Sequence, residues 1–185
     1  MVRLALFAVL ALATPAAAEE LFRAPSMFGP LVVTEDDGVR TLLVGDPPVE
    51  QSAIVVGRPG VFVHQYTQLL AHTLAAAPPK PRVLVIGLGG AVIPSHLHAN
   101  APGAMVDVVE IDPAIVDVAK RWFALPADDR VRIHVADARR FLEATAGPWD
   151  VIVVDAYAAD AVPAHLADAG FFTLVRSRLA PRGFV

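Results

Sequence analysis

The hydrophobic positions of residues 82–180 alternate between short continuous apolar runs and longer stretches with helical spacing. Runs such as Val-Leu-Val-Ile and Val-Ile-Val-Val are typical of strands that are buried on both faces of a parallel sheet. The pattern predicts strands at 83–86, 105–110, 131–135 and 151–155, and helices at 94–100, 113–123, 138–145 and 168–179. This alternation indicates an α/β domain with a Rossmann-like parallel sheet.

The segment before this domain predicts a small antiparallel β-module at 19–60. Apolar runs at 31–33, 39–44 and 52–56 are separated by turn-forming residues, and Asp36-Asp37-Gly38 predicts a hairpin. Residues 61–77 show helical spacing and end at Pro78-Pro79, which predicts a connecting helix and linker at 61–81. The α/β domain then occupies 82–185. Because Pro181 and Gly183 follow its last predicted helix, we expect a sheet of four strands that is truncated at the C-terminus.

The first 18 residues have the features of a targeting segment. Arg3 precedes an apolar run at 4–13, and Ala16-Ala17-Ala18 offers a small-residue cleavage site. The run is shorter than the roughly 20 residues that a membrane-spanning helix needs, so we expect no stable membrane span. The pattern predicts a secretory signal peptide and a periplasmic or secreted protein. The alternative is an N-terminal helix of a cytoplasmic protein.

Composition narrows the partners and cofactors. The chain carries a formal net charge of −4, and the absence of a Lys/Arg cluster makes nucleic acid an unexpected partner. The chain contains no cysteine, which excludes disulfides, thiolate metal ligands and a cysteine nucleophile. Its six histidines show no spacing typical of metal ligands, and we therefore predict no metal site.

The first candidate chemistry lies where the first predicted strand ends. Gly87-Leu88-Gly89-Gly90 forms a glycine-rich turn between a strand and a helix, a place where the backbone can approach a ligand closely. Glu110 ends the second strand about 20 residues later, where a carboxylate can accept hydrogen bonds from both ribose hydroxyls. A dinucleotide fingerprint needs Gly or Ala at Val92, which makes an NAD oxidoreductase the least favoured function. A tight turn without a ligand is the alternative interpretation.

Three aspartates follow the ends of the later strands. Asp112 precedes Pro113 and is interpreted first as a helix cap. Asp137-Ala138 either caps the next helix or accepts a hydrogen bond from an adenine amino group, and Asp155 is either a solvated loop residue or part of the site. Ligands of open α/β sheets bind at the carboxyl ends of the strands. Together with the glycine turn, these residues predict a nucleotide-cofactor site of the S-adenosylmethionine class.

At these positions the chain resembles the spermidine synthase family, over roughly residues 26–185. The similar segments are Gly87–Gly90, Val108–Pro113, Asp137-Ala138, Asp150–Asp155, Phe171–Pro181, Gln51 and Tyr66–His72. The resemblance implies a small N-terminal β-domain followed by a class I methyltransferase-type domain. It also implies that S-adenosylmethionine or its decarboxylated form is bound as a co-substrate. A homodimer stays open as the assembly state. The implied donor-binding residues are Gln51, Gly87, Gly89, Gly90, Glu110, Asp112, Asp137 and Ala138.

The resemblance also implies an acceptor region, and the chain departs from the family there. Asp155 and Tyr66 would face the amine, but Gly90 and Ala158 stand where the family has Asp, and Gln68 stands where it has Glu. Asp160, two residues beyond Ala158, is the candidate substitute base. The leading interpretation is an aminopropyltransferase acting on putrescine or another small-molecule amine acceptor. A methyltransferase and a non-catalytic, exported nucleoside-binding relative stay open.

Overall fold

The computed structural model describes residues 18–58, 61–157 and 161–185. The predicted signal peptide therefore lies almost entirely outside the described residues, as do Ala158 and the candidate base Asp160. Across the described part of the chain, every helix is too short or too polar to span a membrane.

An antiparallel sheet of four strands opens the described chain. Its strands are β1 (Glu19–Ala24), β2 (Leu31–Asp36), β3 (Val39–Val44) and β4 (Val49–Val55), and they are ordered β1-β2-β3-β4. The predicted hairpin is confirmed, because β2 and β3 pair around Asp37 and Gly38, whose φ angles of 46° and 73° suit a two-residue turn of type I′. Strand β1 was not predicted, since charged residues flank its Leu21-Phe22 pair and leave no longer apolar run.

The second sheet confirms the Rossmann-like, methyltransferase-type fold. Its strands are β5 (Arg82–Ile86), β6 (Met105–Glu110), β7 (Val131–Val135), β8 (Trp149–Val154) and β9 (Leu179–Phe184). All neighbouring strands are parallel, in the order β7-β6-β5-β8-β9. The helices are α1 (Gln65–Leu74), α2 (Val92–Asn100), α3 (Pro113–Trp122), α4 (Ala138–Ala144) and α5 (Ala169–Ser177), and a short 3₁₀ turn covers Ala164–Leu166.

The apolar strand runs are explained by burial on both faces of this sheet. Along β5, Val83 and Val85 pack in one core with side chains of α1, α2 and α3, whereas Leu84 and Ile86 pack in a second core with α4 and α5. The first core also contains Leu31 and other β2 and β3 side chains, so the two sheets share it. The loop after β5 lies beside Ser52 of β4 at Gly90, and the loop after β6 is bonded through Asp112 to Met27 of the β-module.

Two parts of the predicted element pattern are wrong. The parallel sheet has five strands, because β9 begins at Leu179, which was assigned to the last helix. Pro181 and Gly183 concealed this strand, but an edge strand tolerates both residue types. Residues 61–64 are not helical either, since Phe62 forms an antiparallel bridge with Ile54 before α1 begins.

Candidate active site

A cavity of about 220 Å³ lies at the carboxyl ends of β5, β6 and β8. The strand order reverses between β5 and β8, and this switch point is where open α/β sheets bind ligands. Six of the predicted donor-binding residues and the candidate catalytic Asp155 line it. They are Gln51, Gly87, Gly89, Glu110, Asp137, Ala138 and Asp155. The strand-end argument thus accounts for residues from Gly87 to Asp155, whereas Gln51, which lies in β4, was expected only from the resemblance.

The glycine turn after β5 is shaped by its contact with the end of β8. Gly87 has a φ of 95°, and a Cβ there would overlap the carbonyl oxygen of Asp155 and lie 2.8 Å from its carbonyl carbon. Hydrogen bonds fix both sides, from the Gly87 N–H to the Val109 carbonyl (2.9 Å) and from the Asp155 N–H to the Ile86 carbonyl (2.8 Å). Only glycine fits here without displacing the backbone.

Glu110 cross-links the glycine turn to the loop after β6. One carboxylate oxygen accepts the Leu88 N–H (3.0 Å) and the other accepts the Asp112 N–H (2.9 Å), although only 6% of the residue is exposed. Burial raises the pKa of Glu110, and the bonds from the backbone N–H groups oppose that rise. A carboxylate has about four acceptor positions, so it can still accept hydrogen bonds from a ligand in the cavity.

Asp112 is placed as a structural residue rather than in the cavity wall. Its side chain caps α3 by accepting the Ala114 N–H (2.9 Å) and also accepts the Met27 N–H (3.0 Å). The second bond ties the loop between β1 and β2 to the α/β domain. As a result Met27 and Phe28 reach the cavity wall, which no local sequence signal indicates.

Asp137 lines the cavity at the end that faces α4. Its Oδ1 accepts the Arg140 N–H (2.9 Å) as the helix cap, and its Oδ2 lies 2.8 Å from the His165 Nε2. Burial acts to raise the pKa of Asp137, but these two bonds, together with electrostatic attraction to His165 and Arg140, outweigh burial and lower the pKa. His165, from the 3₁₀ turn, lines the same cavity and was not singled out from the sequence.

A smaller cavity of about 20 Å³ adjoins the first one and shares Gln51, Gly87, Leu88 and Asp155 with it. Tyr66 at the start of α1 also lines it, as the resemblance implied. Burial raises the pKa of Asp155. Burial, together with the nearby Asp155, Tyr157 and Glu50, raises the pKa of Tyr66 to about 12. The arrangement therefore offers a proton-accepting carboxylate beside a phenol that stays protonated at neutral pH.

Gly90 lies in neither cavity wall. A Cβ at this position would lie 2.8 Å from Phe123 Cδ1 and 2.9 Å from Ser52 Cβ. The place at which the resembling family carries an aspartate is thus filled by two neighbouring side chains. Among the described residues, no group of three or more histidines and acids is arranged to hold a metal ion.

Comparisons with known proteins agree with this geometry. The sequence profile of the Spermine/spermidine synthase domain matches residues 63–185. The chain is 36% identical over 110 residues to the polyamine aminopropyltransferase of Vibrio vulnificus (strain CMCP6), a match that covers 57% of this chain and 36% of that protein. It therefore spans well under half the length of this relative.

Two solved structures share the fold. A probable spermidine synthase from Corynebacterium glutamicum ATCC 13032 superposes with a TM-score of 0.74 at 25% identity, covering 90% of this chain and 61% of that one. Human methyltransferase-like protein 13, solved in complex with SAH, superposes with a TM-score of 0.56 at 28% identity. This match covers 64% of the present chain and 61% of that one. Both an aminopropyl-type and a methyl-type relative thus resemble the chain.

Proposed function

The chain belongs to the spermine/spermidine synthase family, and from that premise we propose that it transfers an aminopropyl group from decarboxylated S-adenosylmethionine to a small amine. The observation that carries the proposal is the charge of the larger cavity. Its described walls contain the carboxylates of Glu110, Asp137 and Asp155 and no lysine or arginine. Such a cavity suits a nucleoside whose tail is cationic.

The nucleoside half of the donor fits the larger cavity. Glu110 is fixed by two backbone N–H groups and keeps acceptor positions for the ribose hydroxyls. The Asp137 end provides polar groups for the base, and Phe28, Ile111 and Leu166 provide apolar wall. Human methyltransferase-like protein 13, which has this fold, was solved with SAH, a nucleoside of the same class.

The tail of the donor separates the two S-adenosylmethionine forms. S-adenosylmethionine carries a carboxylate on its tail, whereas the decarboxylated form ends in an ammonium group alone. The described wall near the switch point presents Asp155 and no cationic side chain, so a tail carboxylate would meet like charge. The electrostatics therefore favour the decarboxylated donor.

The proposed reaction uses Asp155 and Tyr66. The acceptor nitrogen attacks the aminopropyl carbon next to the sulfonium, the carbon–sulfur bond breaks, and its electron pair leaves a neutral thioether, 5′-methylthioadenosine. The proton lost by the nitrogen passes to Asp155. Burial raises the pKa of this carboxyl group, which makes Asp155 a stronger base than an exposed aspartate. The protonated phenol of Tyr66 provides a hydrogen-bond donor beside this carboxylate. Asp160 stays the proposed substitute for the base that the family has at the position of Ala158.

Methyl transfer from S-adenosylmethionine is the second candidate. The 28% identity to human methyltransferase-like protein 13 favours it. The packing around Gly90, which leaves no room for the family's acid, also favours it because that acid belongs to amine handling. The two candidates differ in donor and in by-product, so one experiment separates them.

The test measures binding and turnover of the full chain with each donor. Isothermal titration should show tighter binding of decarboxylated S-adenosylmethionine than of S-adenosylmethionine, and mass spectrometry should detect 5′-methylthioadenosine when putrescine is added. Selective binding of S-adenosylmethionine with formation of SAH on addition of an acceptor would establish methyl transfer instead. Binding without turnover of any donor would indicate a non-catalytic nucleoside-binding protein.

A matched pair of variants tests the ribose contact. Glu110→Gln replaces one carboxylate oxygen, a hydrogen-bond acceptor, with an NH₂ group next to a backbone N–H. We expect the affinity for decarboxylated S-adenosylmethionine to fall about 10- to 100-fold. Glu143→Gln, an exposed change on α4, should leave the affinity unchanged. An unchanged affinity in Glu110→Gln would refute the ribose assignment.

We also propose that residues 1–18 are a cleaved signal peptide and that the mature protein is exported. N-terminal sequencing of the protein from its host tests this directly. A mature chain that begins at Glu19 supports export, and one that retains the apolar run at 4–13 favours a cytoplasmic protein.

A further inference from the structure

A separate cavity of about 120 Å³ lies where the end of β4 meets the start of α2 and the residues that follow α3. It shares no described residue with the larger cavity. Most of its described wall is apolar and includes Ile54, Phe62 and Phe123, whereas Arg58 and Ser95 are polar. An apolar cavity of about 150 Å³ is known to bind benzene, so this one has room for a compact group of about six carbon atoms.

The part of the wall after β4 is held in place by backbone contacts. Phe62 forms an antiparallel bridge with Ile54. Between them, the Arg58 N–H donates to the Val55 carbonyl (3.1 Å) and the Val61 N–H donates to the Arg58 carbonyl (3.2 Å). Arg58 and Val61 are both exposed, so this turn forms the mouth of the cavity.

Two alanines in the wall have a left-handed backbone conformation. The φ angles are 56° at Ala91, just before α2, and 50° at Ala124, just after α3. Asp37 is the third non-glycine residue with positive φ in the described part of the chain, so two of the three line this cavity. Such conformations are costly, and they cluster at ligand sites and switch regions. The strain therefore marks this cavity as a candidate site.

The polar residues of the wall have unused hydrogen-bonding capacity. The guanidinium of Arg58 forms no hydrogen bond or ion pair with another described residue. The hydroxyl oxygen of Ser95 is buried and also has no partner among the described residues. This hydroxyl can turn about the Cα–Cβ bond and donate to an oxygen atom placed in the cavity. Both groups are donors to an anion, and neither suits a cation.

We propose that this cavity binds a small monocarboxylic acid with a compact apolar body, such as benzoate or a short branched-chain acid. The apolar body fills the cavity, and the carboxylate pairs with Arg58 at the mouth. The volume is about half that of the larger cavity, which is too small for a nucleoside. An inorganic anion would leave the apolar wall without a partner.

The charge of the two sites differs in sign. The larger cavity carries the carboxylates of Glu110, Asp137 and Asp155, which repel an organic acid, whereas the described wall of this cavity carries Arg58 and no carboxylate. Benzoate therefore distinguishes the two sites. The inference does not depend on the proposed function, because it involves neither donor nor acceptor.

A packing void that has no natural ligand is the competing explanation. A void of this size also takes up apolar molecules, but it does so whether or not they carry a charge. A site for an organic acid prefers the acid over a neutral molecule of the same shape, and this preference depends on the cation at its mouth. The test therefore compares two ligands that differ in charge.

The probes are benzoate and its neutral counterpart benzyl alcohol, titrated against the full chain at neutral pH and followed by saturation-transfer NMR. We expect benzoate to bind with a Kd of about 0.1–1 mM, about tenfold more tightly than benzyl alcohol. Arg58→Gln should weaken benzoate about tenfold and leave benzyl alcohol unchanged. The matched control is Arg132→Gln, which removes the same charge from an exposed position on β7 and should leave both affinities unchanged.

A second variant tests the location of the ligand. Val61→Phe adds bulk at the mouth and should weaken both probes, while its urea midpoint should stay that of the wild type because Val61 is 43% exposed. An excess of 5′-methylthioadenosine should not displace benzoate.

Three results would overturn the inference. They are the absence of benzoate binding up to about 10 mM, an equal affinity for benzoate and benzyl alcohol, and an unchanged benzoate affinity in Arg58→Gln. Displacement of benzoate by 5′-methylthioadenosine would also overturn it, because the acid would then lie in the larger cavity. If 5′-methylthioadenosine fails to bind while benzoate binds as expected, the proposed function is refuted and this inference stands.

Discussion

Gly87→Ala is the substitution for which the structure gives the clearest magnitude. Residue 87 combines a φ of 95° with a site in which an added Cβ would overlap the carbonyl oxygen of Asp155. The turn and the end of β8 cannot separate freely, because the Asp155 N–H is bonded to the Ile86 carbonyl at 2.8 Å. The added methyl group must therefore strain the backbone at the switch point.

The free-energy cost has two parts. A left-handed backbone conformation costs an L-residue about 1–2 kcal/mol relative to glycine. Overpacking of a close contact adds about 1–3 kcal/mol, so we expect the free energy of unfolding to fall by about 2–5 kcal/mol. Since native domains are stable by only about 5–15 kcal/mol, the effect is large enough to measure.

Gly38→Ala is the matched control. Gly38 has a φ of 73°, but no atom lies within 4 Å of an added Cβ, so this variant should lose only the conformational part of about 1–2 kcal/mol. Urea unfolding followed by circular dichroism compares the two variants, and titration with 5′-methylthioadenosine should show weakened binding in Gly87→Ala alone. Equal losses of stability in both variants would refute the close approach of the turn to Asp155.

Three further substitutions test other parts of the site. Burial raises the pKa of Asp155, so its contribution to stability is present below the unfolded-state pKa and is lost as pH rises through the folded-state pKa. Asp155→Asn should therefore abolish turnover, and its free energy of unfolding should rise relative to that of the wild type towards neutral pH. A variant that is less stable than the wild type at pH 7 would contradict this. Gly90→Asp should destabilise the fold by about 1–3 kcal/mol through overlap with Phe123, and an unchanged urea midpoint would contradict the packing seen there. Asp112→Ala removes the cap of α3 and the bond to the β1–β2 loop, and should lower the free energy of unfolding by about 1–3 kcal/mol. The control is Asp117→Ala, an exposed change on α3, which should alter that free energy by less than about 0.5 kcal/mol.

Much of the fold and part of the site followed from the sequence because central strands that are buried on both faces leave a recognisable apolar pattern. Once β5, β6 and β8 are located, their carboxyl ends must meet at one sheet edge, and Glu110 and Asp155 come together by geometry. A separate, local Asp-Pro signal identified Asp112 as a helix cap, whereas its implied place among the donor-binding residues was wrong because both its side-chain oxygens bind backbone N–H groups outside the cavity wall.

The remaining site residues depend on contacts that no local pattern encodes. Met27 reaches the cavity through a hydrogen bond to a residue 85 positions away, and Phe28 follows it. His165 lies in a short 3₁₀ turn without hydrophobic periodicity, and its contact in the cavity wall is with Asp137, 28 positions earlier. Long-range packing of this kind becomes visible only when the β-module and the 3₁₀ turn are seen against the sheet.

The packing at Gly90 changes how the missing family acid is understood. An acid lost by a single substitution would leave an empty space beside the donor, but here Phe123 and Ser52 occupy the position of a Cβ. The sequence around the turn is thus consistent with a site organised without that acid. Among the described residues lining the smaller cavity, Asp155 is the carboxylate that remains. Under the proposed reaction, Asp155 pairs with the ammonium group of the donor and also takes up the proton released by the acceptor nitrogen. No second described carboxylate lies in that wall. The pH dependence of turnover should therefore follow one carboxylate if Asp155 acts alone, and two if Asp160 is the substitute base.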